Sequence, residues 1–235
     1  MSNNQSDNLP TTSIQLAVLD MAGTTVADGG LVLQAFDIAA TSAGIAESGA
    51  ERDVARKYVV DTMGQSKIAV FRALLDDEQR AQAANLAFEQ AYDALIEAGN
   101  AAALPGAELA IDKLRSAGIK VALTTGFSSS TQSKLLTALG WDHIADLAIA
   151  PPDAGRGRPY PDLILTAILR LGIDDVKSVA VLGDTTSDIA SGLAAGSAIV
   201  AGTLTGAHDE AQFRAAGATH VVATVGDFAD LLLSD

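Results

Sequence analysis

The chain alternates between short apolar runs and helix-like stretches, and this rhythm constrains its fold more than any other feature. Apolar runs fall at 14–20, 119–124, 146–149, 178–182, 198–201 and 220–222. In the second half helical patterns lie between them, the sequence signature of βαβ units around a mostly parallel sheet. The first two runs are separated differently. Residues 30–104 carry helical periodicity without a convincing strand, and Ser48-Gly49-Ala50-Glu51 has the spacing of a capping box. Pro105-Gly106 closes that stretch, and 107–117 reads as a helix ended by Gly118. The expectation is an α/β protein with a core made of 1–29 plus 105–235 and a helical cap domain, 30–104, inserted after the first strand.

Composition narrows the class of partner. With 235 residues, 49% of them hydrophobic, the chain can fill one large core with a smaller insert. A formal net charge of -14 argues against nucleic acid or an anionic membrane as a partner, since both call for clustered Lys and Arg. An anionic small-molecule substrate therefore needs a locally positive pocket or a metal. The absence of cysteine excludes disulfides and thiolate chemistry and suits a cytoplasmic protein. No apolar stretch reaches membrane-spanning length, and residues 1–12 are polar and read as a disordered tail.

The chemistry gathers where apolar runs end. Asp20 closes the first, followed by Met21-Ala22-Gly23-Thr24-Thr25, so a candidate nucleophile stands two residues before an alanine. A carboxylate at the carboxyl end of a buried strand is where an open α/β sheet places its chemistry. The second run ends in Thr124-Thr125-Gly126, where a hydroxyl and freed N–H groups can hold phosphate oxygens. Thr and Gly are also ordinary turn residues. Arg158 lies in Gly157-Arg158-Pro159-Tyr160-Pro161, a stiffened segment suited to an anion or to a solvated loop. The fourth run ends in Gly183-Asp184, with Asp188 four residues on. Each acid alone suits a helix cap, but together with Asp20 they describe an oxygen site for Mg²⁺.

Lys67 raises a separate question. It precedes Ile68, Val70, Phe71, Leu74 and Leu75, an apolar stripe at helical spacing, and falls within that stripe. A lysine held among apolar groups loses affinity for its proton, and a neutral amine attacks aldehydes to form a Schiff base. A lysine snorkelling from a helix end to water fits the same spacing.

In the order of these pieces the chain resembles the haloacid dehalogenase superfamily, and within it the phosphonoacetaldehyde hydrolase (phosphonatase) and phosphonatase-like hydrolases. Asp-x-Ala-Gly-Thr in place of Asp-x-Asp, Arg158 in place of lysine, and Met63-Gly64-Gln65-Ser66-Lys67 in the insert carry the closer likeness. The resemblance implies a Rossmann-like core and a Mg²⁺-dependent hydrolase. Asp20 would be the nucleophile and Lys67 the Schiff-base lysine. Thr125, Gly126 and Arg158 would hold phosphate, and Asp20, the Ala22 carbonyl, Asp184 and Asp188 the metal. It also implies a homodimer paired through the cap.

A general acid contributes about 10²–10⁴-fold to ester cleavage, and Ala22 cannot act as one. An iminium on Lys67 would instead absorb the electrons of a broken carbon–phosphorus bond. The missing acid and the added lysine thus explain one another, with phosphonoacetaldehyde or a related 2-oxoalkyl phosphonate as substrate. Val70, Phe127 and Met21 stand where phosphonatase carries histidine, tyrosine and tryptophan, which favours a related substrate. The alternatives are a phosphomonoesterase acting on a small phosphate ester such as a phosphoglycolate- or sugar-phosphate-like compound, a mutase, and a binding protein without turnover. His143, His208 and His220 lie in none of these motifs and read as structural or exposed.

Overall fold

A computed structural model describes residues 13–234, so the tail expected at 1–12 lies outside the described residues. Six strands form one sheet in the order β3-β2-β1-β4-β5-β6, and every pairing is parallel. They are β1 (Leu16–Asp20), β2 (Lys120–Thr124), β3 (Leu147–Ile149), β4 (Val179–Gly183), β5 (Ile199–Thr203) and β6 (His220–Val222). Each overlaps an expected run. β1 and β4 are buried along their whole length because helices cover both faces. Their side chains alternate between two cores. Ala17 and Leu19 join one cluster, Leu16 and Val18 the other, the period of two that a strand dictates.

Helices α5 (Ala107–Ser116), α6 (Ser129–Leu139), α7 (Pro151–Ala154), α8 (Asp162–Leu171), α9 (Thr186–Ala195), α10 (Glu210–Ala215) and α11 (Val225–Leu233) accompany the sheet. The sequence punctuates them: the Ser128 side chain accepts a hydrogen bond from Thr131 N–H at the start of α6, and left-handed Gly140 ends it. No helix among the described residues is long and apolar enough to cross a membrane.

Between β1 and α5 come four α-helices, α1 (Leu31–Ser42), α2 (Ala50–Asp61), α3 (Lys67–Leu74) and α4 (Glu78–Leu95). α4 packs against α1 and α3 and reaches the core at α6. There Asp93 accepts from Thr131 Oγ1 at 2.9 Å and meets Lys134 Nζ at 2.6 Å. The expected capping box at 48–51 does not form. α2 begins at Ala50, one residue later than that spacing requires, and its cap position is Gly49, which has no side chain to offer. Glu51 and Asp53 in the first turn instead complement the helix dipole. The chain leaves and rejoins the core through paired linkers: Ala27 N–H donates to Ala102 O, and Leu104 N–H to Thr25 O.

Candidate active site

The strand register decides which residues meet. Asp20 pairs with Thr124 across β1 and β2, while Leu19 pairs with Leu182, so Asp20, Thr125 and Asp184 emerge at one edge of the sheet. β1 leads by way of the helices to β2 on one side, and the chain later returns to β4 on the other. This is a topological switch point, where an open sheet leaves a crevice at its carboxyl end. A cavity of about 340 Å³ opens there, lined by Asp20, Ala22, Lys67, Thr125, Gly126, Arg158 and Asp184 among others. Of the site residues expected from sequence, Asp188 alone is not on its wall. It lies just behind.

The end at the sheet edge is dense in charge. Arg158 is 5% exposed, so the solvated-loop alternative falls. Its guanidinium meets Asp20 Oδ1 at 2.6 Å and Asp188 Oδ1 at 2.9 Å, and donates to Thr124 Oγ1 at 2.8 Å. Burial opposes its charge, yet Asp188 and Asp20 outweigh that and hold it protonated. Asp188 serves two roles at once. One oxygen faces Arg158 while the other accepts from Thr185 N–H and Oγ1, completing a capping box at the start of α9. Asp184 accepts from Ala207 N–H at 2.8 Å. Thr25 Oγ1 donates to the Asp20 carbonyl, and Thr24, Thr25 and Val26 N–H all turn back to Met21 O, folding the segment around Ala22 into a tight flap.

Oxygens of Asp20, Asp184 and Asp188 lie within 4.8 Å of one another, all buried. Burial raises the Asp20 carboxyl to about 6, with Asp188 adding to the rise and Arg158 opposing it. Asp184 is pushed well above the usual carboxylate range by burial, then by Asp20 and Asp188. Three carboxylates share one guanidinium, and this excess of buried negative charge with an all-oxygen donor set fits a hard divalent cation.

The opposite end is apolar. Lys67 opens α3 and is 9% exposed, not snorkelling to solvent. Its Nζ lies 5.8 Å from the centre of the Phe88 ring and 5.7 Å from that of Phe127. The Tyr92 ring is tilted against Phe127, with centroids 4.5 Å apart. Burial lowers the Lys67 ammonium to about 8, against the opposing pull of Asp28, Asp20 and Asp184. Close backbone approach holds the two ends together. A Cβ on Gly126 would stand 2.6 Å from the Gln65 carbonyl, and one on Gly64 would stand 2.4 Å from Thr185 Oγ1. Both positions therefore need glycine if the Met63–Gln65 turn is to seat on the core loops.

Sequence reasoning missed several wall residues. Thr205, Gly206 and Ala207 follow β5, and the strand-end pattern that flagged Thr125 and Asp184 was repeated there in Gly202-Thr203-Leu204-Thr205-Gly206. Asp28 on the wall comes from a linker, and Phe88, off the wall but near Lys67, from α4, where no local motif marks them. His208 is buried and accepts from Thr186 N–H at 2.8 Å, a structural role, while His143 and His220 are exposed.

Comparison with known proteins agrees with this geometry. A model of the haloacid dehalogenase-like hydrolases matches residues 14–196, and the chain belongs to that family. Among its curated relatives is a phosphonoacetaldehyde hydrolase of Pseudomonas aeruginosa. The two are 30% identical over 215 residues, 85% of this chain and 76% of the relative. Two solved structures share the fold. One is a hydrolase from Pseudomonas syringae, at TM-score 0.81 and 23% identity over 93% of this chain and 97% of that one. The other is a phosphonoacetaldehyde hydrolase-like protein from Oleispira antarctica, at TM-score 0.78 and 23% identity over 93% and 91%.

Proposed function

We propose that this hydrolase cleaves the carbon–phosphorus bond of phosphonoacetaldehyde or a related 2-oxoalkyl phosphonate through an aspartyl phosphate on Asp20 and a Schiff base on Lys67. One observation carries the reading: a buried lysine amine shares a cavity with a carboxylate whose neighbouring acid position is Ala22. The name of the Pseudomonas aeruginosa relative supports it. Asp20, the Ala22 carbonyl and Asp184 would hold Mg²⁺, with Asp188 behind them. When bound, the ion supplies positive charge against the oxygens of the transferring group.

The chain's own residues then divide the work. Lys67 Nζ adds to the aldehyde carbon, and loss of water leaves an iminium. A carboxylate oxygen of Asp20 attacks phosphorus while the carbon–phosphorus bond breaks, and its electron pair enters the iminium to give an enamine. No proton donor is needed at the leaving atom, so Ala22 is no handicap. The Thr125 hydroxyl, Gly126 N–H and Arg158 guanidinium neutralise the phosphoryl oxygens, where most of the catalysis in such transfers resides. Water hydrolyses the aspartyl phosphate, the enamine takes a proton on carbon, and hydrolysis of the imine frees Lys67.

The inserted helices act in this scheme as a cap domain over a hydrolase core, and pairing through them would make a homodimer, which sedimentation velocity tests. A cysteine-free chain suits the cytoplasm. Borohydride added during turnover of phosphonoacetaldehyde should leave a reduced adduct on Lys67, located by peptide mass. No adduct, or full activity in Lys67→Ala, overturns the reading and leaves a phosphomonoesterase. A panel of 2-oxoalkyl phosphonates assayed for phosphate release with and without Mg²⁺ then fixes substrate and metal together.

A further inference from the structure

We infer that Asp28 is the proton carrier for imine formation on Lys67, an assignment that rests on the Schiff-base reading. Asp28 sits in the linker that leads from β1 into the inserted helices, and it lines the same cavity as Lys67. Its carboxylate is held in place: Oδ2 accepts from Gly30 N–H at 3.1 Å and Oδ1 from Val32 N–H at 3.2 Å, at the start of α1. Each oxygen keeps a lone pair for a second partner.

Elimination narrows the choice to this residue. Among the titratable groups on the cavity wall, Asp20 is engaged by Arg158, and Asp184 by Ala207 N–H and, at 3.5 Å, by Thr24 Oγ1. Arg158 itself stays protonated between two carboxylates. Tyr92, off that wall, is tilted against Phe127, and burial, then Asp28 and Asp20, push its phenol upward, so it keeps its proton. The groups nearest Nζ on the aromatic side, Phe88 and Phe127, carry no exchangeable proton. Asp28 is also the carboxylate whose charge acts most strongly on Lys67, ahead of Asp20 and Asp184. Among the described residues Lys67 Nζ makes no ion pair within 4.0 Å, so the substrate's carbonyl oxygen would have to carry protons between Asp28 and the amine.

The step balances without any other co-reactant. Starting from the ammonium, two protons leave nitrogen as Nζ bonds to the carbonyl carbon and the nitrogen lone pair closes the C=N bond. Both protons join the carbonyl oxygen, whose bond to carbon breaks and which departs as water. Asp28 relays them one at a time and ends as the carboxylate. The reverse sequence hydrolyses the imine after the carbon–phosphorus bond has broken.

The test uses acetaldehyde, which has no phosphorus, with cyanoborohydride, and reads the rate at which Lys67 becomes ethylated by intact mass and peptide mapping. Asp28→Asn keeps one of the two acceptors at the start of α1 and loses the other, so its thermal midpoint should fall slightly while the fold is kept. It should slow ethylation about 100-fold, within the range of general acid–base contributions. Hydrolysis of nitrophenyl phosphate, which uses no imine, should fall far less, and Asp28→Glu should recover part of the ethylation rate. Equal losses in the two reactions, or ethylation at the parent rate in Asp28→Asn, overturn the inference while leaving the Schiff base standing. No ethylation of Lys67 in the parent protein overturns both.

Discussion

The two ends of the cavity handle buried charge in opposite ways. At the sheet edge Asp20 and Asp188 pair with Arg158, Asp184 accepts from Ala207 N–H, and burial still raises Asp20 and Asp184. At the helical end Lys67 lies beside the stacked Phe88 and Phe127 rings with no ion-pair partner among the described residues, and its proton affinity falls instead. Arg158, held between Asp20 and Asp188, keeps its charge. Lys67, without such a partner, holds its proton less tightly. One fold thus sets two cations of different proton affinity within one cavity.

Removing the paired end should have the largest effect. Asp20→Asn leaves an amide in place of the attacking oxygen, and phosphate release from both phosphonoacetaldehyde and nitrophenyl phosphate should fall about 10⁵-fold, as nucleophile losses do. Removing the unpaired end should separate the reactions. Lys67→Met should lower phosphonoacetaldehyde turnover about 10³-fold or more by removing covalent catalysis, yet lower nitrophenyl phosphate hydrolysis by less than about tenfold. Equal losses in the two assays would erase the distinction between the ends. A third substitution moves in the other direction. Ala22→Asp restores an acid beside the nucleophile, and hydrolysis of an alkyl phosphate with a poor leaving group should rise about 10- to 100-fold. Nitrophenyl phosphate, whose leaving group needs no acid, should gain little.

The two ends also differed in how far they could be read from the sequence. Much of the sheet edge was legible because Asp20 ends β1 and Thr125 and Asp184 directly follow β2 and β4, and a parallel sheet brings strand ends together whatever the helices do. The lysine end depends on packing between α3, α4 and the β2–α6 loop, which share no local pattern. Lys67 showed itself through its apolar stripe and the family likeness, but nothing near Phe88 or Asp28 announced that they would face it. The capping box at 48–51 failed for a related reason, since a four-residue spacing does not fix where a helix starts. Asp188 shows the limit from the other side: capping and site chemistry were read as rivals, and its two oxygens serve both.

The mildest perturbation, pH, probes the unpaired end directly. Lys67 holds its proton with a pKa near 8 in place of the usual 10.5, so near neutrality about a tenth of the protein carries the free amine. Phosphonoacetaldehyde turnover limited by amine attack should rise about tenfold per pH unit up to 8 and then level, while nitrophenyl phosphate hydrolysis in the same buffers should lack that limb. The stability consequence has a definite sign. The unfolded chain binds this proton more tightly, so between about pH 8 and 10.5 unfolding takes up protons and stability rises with pH. Below 8 the full cost of the buried ammonium is present. A shift of this size corresponds to about 3 kcal/mol, and the Phe88 and Phe127 rings already contribute their attraction to the charge within the folded state. Lys67→Met should therefore raise stability at pH 7 by about 2–3 kcal/mol in denaturant titrations, and the gain should shrink toward pH 10. A loss of stability on that substitution would mean that the ammonium is paired after all, and the contrast between the two ends would fail.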